Sequence, residues 1–134
     1  MLHFLLVPVA LALNVPVVQT CLPYEPAKVT ITGVVSVGHG YGPPGFGEDP
    51  KHDAKETYPV LTLSKPICVS GGDADGMDDP VSSIRAFQLV SSERHHFDPG
   101  LIGASVAVTG TLFHRVSGGH TDVMVMYTDV RKAP

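Results

Sequence analysis

The hydrophobic residues of this 134-residue chain fall into one continuous N-terminal block followed by short alternating runs. The block, residues 4–18, carries no charge and is interrupted by Pro8, Asn14 and Pro16. Fifteen residues broken in this way are too few for a bilayer-spanning helix, and the two prolines would break a central strand. Position and composition fit the apolar segment of a secretory signal peptide, residues 1–20, leaving 21–134 as the mature domain. Two features depart from the usual leader: Met1-Leu2-His3 has no Lys or Arg, and no small-x-small site precedes Cys21.

Beyond Cys21 the apolar positions alternate, which predicts strands. Residues 28–38 form the first, with Val29, Ile31, Val35 and Val37 on the core side and Gly33 marking a bend. Residues 39–57, HGYGPPGFGEDPKHDAKET, lose the alternation and read as a nineteen-residue loop, a length usually found in functional or mobile segments. A second strand spans residues 58–69, where Pro66 implies an edge or a bulge. After a polar loop at 70–80, residues 81–90 give a third strand with Ile84, Phe87 and Leu89 in the core; a helical turn is the alternative.

Residues 104–117 and 120–132 are predicted to form a hairpin around Gly118-Gly119, because both glycines can take positive φ. Pairing Ser117 with His120 fixes the register. Val106, Val108, Leu112, Val123, Val125 and Tyr127 then share the core face, with Tyr127 opposite Gly110 as a ring over bare backbone. On the other face Arg115 meets Asp122 and Phe113 meets Met124. A slip of one residue would mix charge into the core. Five strands, interior glycines and a long early loop predict an all-β, small five-stranded OB-like barrel with long loops.

Composition agrees: 14 glycines and 12 prolines suit a β domain with elaborate loops. The 114 residues after the leader suffice for a single domain. The net charge of −4 and scattered basic residues, adjacent only at Arg131-Lys132, argue against a nucleic-acid partner. No later stretch is apolar enough to span a membrane, so the mature protein is expected to be periplasmic or secreted, with no transmembrane segment. In an oxidising compartment Cys21 and Cys68 are expected to form a disulfide, closing about 47 residues and contributing roughly 4 kcal/mol in the chain-entropy model. The rival is an envelope lipoprotein anchored through Cys21, although Val18-Gln19-Thr20 is a poor lipid-attachment sequence.

Gly103-x-x-Val106-x-Val108-x-Gly110-x-Leu112-Phe113, followed by Gly118-x-His120-Thr121-x-Val123, resembles an uncharacterised bacterial exported domain family, domain of unknown function 4431. Cys21-x-x-Tyr24-x-Pro26 and Leu63-x-Lys65-Pro66-Ile67-Cys68-Val69 resemble that family's earlier segments. The resemblance covers nearly all of the chain after the leader. It implies an exported β-rich domain and a bridge between the two cysteine-bearing segments, and it implies no reaction. Where the family is expected to carry a second histidine beside His120, this chain has Gly119.

Seven histidines raise the question of a metal. In the derived register His114 projects to the core face and His120 to the other, so the hairpin cannot aim both at one ion. No metal and no cofactor are expected; a zinc site, if built, would use His95, His96 and His120. The acidic run at 73–79 lacks the glycine and glutamate that an EF-hand loop needs at positions 78 and 84, which leaves a solvated loop or an irregular Ca²⁺ site. Tyr41-Gly42-Pro43-Pro44-Gly45-Phe46-Gly47 is not a phosphate loop, and no GxSxG is present. Two aromatics on a Gly/Pro scaffold suit recognition or an ordinary flexible connection.

The expectation is therefore an exported, non-catalytic binding module of the bacterial envelope, of inhibitor or immunity type. Its partner would be an envelope protein or a cell-wall component. Tyr41 and Phe46, with Arg115 and His120 at the hairpin tip, are the candidate contacts, because the corresponding loops of OB-like barrels border one face. The competing class is a zinc-binding protein or metal-dependent enzyme built on the loop histidines.

Overall fold

The structure, a computed structural model, describes residues 8–14, 21–72, 79–91, 96–115 and 120–134. It is all-β. Strands β1 (Lys28–Tyr41), β2 (Lys55–Val69), β3 (Val81–Ser91), β4 (Ser105–His114) and β5 (Val123–Lys132) form one sheet closed in the order β1-β2-β3-β5-β4, with a 3₁₀ turn at Pro99–Leu101 between β3 and β4. Every pairing is antiparallel except β3 with β5. The expected OB-like barrel is the observed architecture.

Strand stagger decides where the loops go. The pairing that starts at Lys28 passes to Thr111, Met126, Val90 and, along the β2–β3 register, Tyr58. It returns to β1 at Gly38, ten residues further along. Such a displacement requires strongly tilted strands. β1 accordingly spends residues 28–34 on β4 and 34–41 on β2.

The alternation predicts the core well. Val29, Ile31, Val35, Ile84, Phe87, Leu89, Val106, Val108, Leu112, Val123 and Val125 are all buried in one cluster, joined there by Leu61 and Leu63 of β2, for which the alternation names no core residue. Val37 is a correction: it is 42% exposed, because β1 beyond Val35 has left β4 and, among the described residues, pairs with β2 alone. The same departure shortens the early loop. His39, Gly40 and Tyr41 pair with Thr57, Glu56 and Lys55, so the loop is residues 42–54, thirteen rather than nineteen. A two-stranded arm with few buried positions leaves no apolar alternation to read.

β3 is a strand throughout. The pairing of β2 with β3 shifts register on both sides of Ile67, which accommodates Pro66 as a bulge. In the hairpin the expected register holds from His114–Val123 to Gly110–Tyr127. It then shifts, and Thr109 pairs with Asp129 rather than Thr128. Gly110 sits at this bulge, where a Cβ would collide with the Met126 carbonyl. The crowding of backbone on backbone, beyond an aromatic cover, is what requires glycine there. The Gly118-Gly119 turn lies outside the described residues.

Cys21 and Cys68 form a disulfide. Around it the segment after Cys21 runs beside the end of β2: Leu22 N–H donates to Cys68 O (2.9 Å), Ser70 N–H to Leu22 O (2.9 Å) and Tyr24 N–H to Gly71 O (2.7 Å). These bonds deliver Tyr24 into the core, fully buried, with its hydroxyl donating to Asp79 O at 2.8 Å. The bond engages the Cys21 sulfur. Residues 8–14 form no strand, and Val9, Leu11 and Leu13 are each at least 85% exposed. Among the described residues no helix is long and apolar enough to cross a membrane.

Because the bridge spans 47 residues of sequence, replacing both cysteines by serine is expected to cost about 2–4 kcal/mol. Urea unfolding of the two proteins, followed by circular dichroism, measures it.

Candidate functional site

Two structures flank the outer side of β2 and β3: the β1–β2 loop and the β4–β5 connection. The loop is ordered by one carboxylate. Asp53, 6% exposed, accepts the backbone N–H groups of Gly45 (2.7 Å), Gly47 (2.8 Å) and Asp49 (3.0 Å). The stem is closed by Gly42 N–H to Ala54 O (2.7 Å) and Ala54 N–H to Pro43 O (3.0 Å). Burial opposes ionisation of Asp53, but the three backbone donors outweigh it and hold the carboxyl below its usual range.

With the loop fixed, Phe46 takes positive φ (51°) beside Gly47 (101°) and stands 43% exposed. Tyr41 is half-buried and lies against Gly47, where an added Cβ would meet its ring at 3.5 Å. The two expected contact residues thus separate: Phe46 is displayed, whereas Tyr41 supports the loop from beneath. The Asp53 carboxylate and the stem bonds together hold this loop in one conformation.

The β4–β5 connection is pinned to β3. Gln88 donates its backbone N–H to Thr121 Oγ1 (2.8 Å), and Thr121 donates in turn to Val123 O (2.7 Å). The Gln88 side-chain oxygen lies 2.6 Å from His120 Nδ1. An amide oxygen can only accept, so Nδ1 is the donor in this bond. The His120 ring also meets the Tyr58 ring, centroids 5.6 Å apart and tilted by 42°. Tyr58 lies opposite Gly38, where a Cβ would collide with the tyrosine ring.

Beneath these groups lies a small outer layer. Val60, Gln88 and Met124 occupy neighbouring positions on three strands, and each is at most 8% exposed. The expectation for Met124 is thereby corrected: it faces outward opposite Phe113, yet it is buried. Arg115 reaches Asp122 Oδ1 and His120 O, both at 3.4 Å, as an exposed pair of little energetic weight.

Alongside β3 the pinned connection leaves a groove of about 320 Å³, lined by Ser82, Ser83, Ile84, Arg85, Ala86, His120, Thr121 and Asp122. Ser83 adopts a left-handed backbone (φ 57°), uncommon for a residue with a side chain. The groove offers hydroxyls, a guanidinium and a histidine, which suits recognition of a polar ligand.

The other candidates are dispersed. His95 and residues 73–78 of the acidic run lie outside the described residues; His96 is exposed, and His114 Nδ1 contacts Arg115 O at 3.3 Å. Among the described residues no three His, Cys, Asp or Glu side chains are grouped to hold a metal ion. Sequence reasoning found His120 and Phe46 but missed Asp53, Tyr58 and Gln88. The available signals were a polar residue inside the apolar run Phe87-Gln88-Leu89-Val90 and a loop acid following Gly45-x-Gly47.

Because the Asp53 carboxyl titrates below its unfolded value of 3.8, its ionised form stabilises the loop fully above that pH and loses effect as pH falls through the folded value. Asp53→Ala should therefore speed amide exchange at Gly45 and Gly47 near neutral pH. The difference from the native protein should shrink below pH 3.8 in a pH series followed by NMR. No family model, curated protein or solved structure matches this chain.

Proposed function

We propose that the chain is an exported, non-catalytic binding module of the bacterial envelope, of inhibitor or immunity type, that recognises an envelope protein or cell-wall component through the outer side of β2 and β3. The observation that carries this reading is the pair of flanking structures fixed in place by specific bonds. Asp53 organises one to display Phe46, and Gln88 anchors the other through His120 and Thr121. Tyr58 joins them, since it lies three residues into β2 from Lys55, where the strand leaves the loop, and touches His120. OB-like barrels bind ligands on this side, between the loops that correspond to these two.

Export is supported by the disulfide, which persists in oxidising compartments, and by the exposure of Val9, Leu11 and Leu13 outside the barrel. On this reading residues 1–20 are a leader and the mature protein starts at Cys21. The intact mass of secreted material should correspond to residues 21–134 less two hydrogens, with no added lipid.

The binding claim is tested by pull-down from an envelope fraction with the native protein, Phe46→Ala, Tyr58→Ala and, as a control on the opposite side, Arg131→Ala. Capture should fall at least tenfold for the first two variants and stay unchanged for the control. Equal capture by all four would remove the β2–β3 side from any recognition role.

A further inference from the structure

The groove beside β3 is bordered by a strand edge that the barrel does not use. β3 pairs with β2 from Val81 onward, but its pairing with β5 begins at Gln88. Residues 81–87 therefore have a strand on one side alone among the described residues. Peptide directions follow from the hydrogen bonds on each side of the strands. Val35 exchanges hydrogen bonds with Gly103 and Ala104, on the side away from β2, so its partner Leu61 points toward β3 and bonds Phe87. Gln88 then points away from β2, as its bond to Thr121 shows, and Ala86, two residues earlier, points the same way. The N–H and C=O of Ala86 are aimed into the groove.

Building on the binding-module reading, we propose that this groove takes an extended, acidic segment of a partner polypeptide, which adds as a strand to the edge of β3. Unpaired strand edges are templates for such addition, and proteins normally blunt them. Here the blunting stops short: the Thr121 hydroxyl satisfies Gln88, while the connection at 120–122 is held back across the groove by His120 and Gln88. The left-handed Ser83 bends the same edge, and its side chain lines the groove.

Charge selects the occupant. Asp122 is countered by Arg115 at 3.4 Å, whereas Arg85 reaches the Ser64 carbonyl at 3.5 Å and no carboxylate among the described residues. An incoming acidic side chain neutralises Arg85, and Ser82 and Ser83 supply hydroxyls for the remaining polar groups. A second copy of this chain fits less well, because a two-fold pairing of β3 edges would bring Arg85 toward its own counterpart. Glycans lack the regularly spaced donors and acceptors that a strand edge matches.

The test is selection of displayed random octapeptides on the disulfide-bonded protein, followed by synthesis of the enriched peptide. The selected sequences should carry an acidic residue, and the bound peptide should slow amide exchange at Ala86. N-methylation of alternate peptide amides should weaken binding at least tenfold, while methylation of the intervening ones changes it less than twofold. Arg85→Glu should weaken the acidic peptide at least tenfold, with an unchanged melting temperature as the folding check. Absence of enrichment, indifference to N-methylation, or a footprint away from Ala86 would each overturn strand addition. So would a β3-mediated homodimer seen by sedimentation, or cell-wall glycan fragments shifting the groove resonances where peptides do not. The glycan result would leave the binding-module reading standing; that reading fails separately, if envelope capture ignores Phe46 and Tyr58.

Discussion

The architecture turns on Gln88, the residue at which β3 changes partners. Among the described residues the strand pairs with β2 alone up to Phe87; from Gln88 it also runs parallel to β5. Its backbone N–H is taken by a threonine hydroxyl rather than by a strand, and its side chain fixes the imidazole of His120. Those two bonds set how far the β4–β5 connection stands from β3. Without them the connection could collapse onto the edge and close the groove. A nearly buried amide in such a place is conspicuous, because an unpaired amide there would cost about 1–3 kcal/mol.

The barrel supplies the rest by geometry. A stagger of ten residues around five strands tilts them enough to send the β1–β2 arm past the ring and to start β5 beside the middle of β3. Two irregular segments separated by about 60 residues of sequence are thereby joined through Tyr58 and His120. Each is held by a different device: a buried carboxylate at Asp53, and hydrogen bonds at the backbone and side-chain amide of Gln88. The disulfide acts elsewhere, locking residues 21–24 onto the end of β2 so that Tyr24 can occupy the core.

Legibility in the sequence follows what local pattern encodes. Alternation on one buried face locates inner residues of β1, β3, β4 and β5 and the hairpin register near Gly110, because a wrong parity there would bury charge. It failed for Val37 and for the ends of the β1–β2 arm, where both faces meet water and burial leaves no periodic trace. The bulge at Thr128 was invisible, since it alters pairing without altering composition. At the site, Phe46 and His120 stood out by residue type in unusual loops. Asp53 and Gln88 did not, because their roles lie in backbone groups brought to them from elsewhere: three loop amides in one case, a histidine and a threonine 32 and 33 positions away in the other.

The most direct measurement of this account is residue-specific amide hydrogen exchange along β3 in the unliganded, oxidised protein. Phe87, bonded to β2, and Gln88, bonded to Thr121, should be protected, and Ala86 between the groove and β2 should exchange much faster than both. Thr121→Val should release Gln88 while leaving Phe87 protected. Strong protection of Ala86 in the native protein would mean that the edge is already occupied and that the groove is not open to a partner strand.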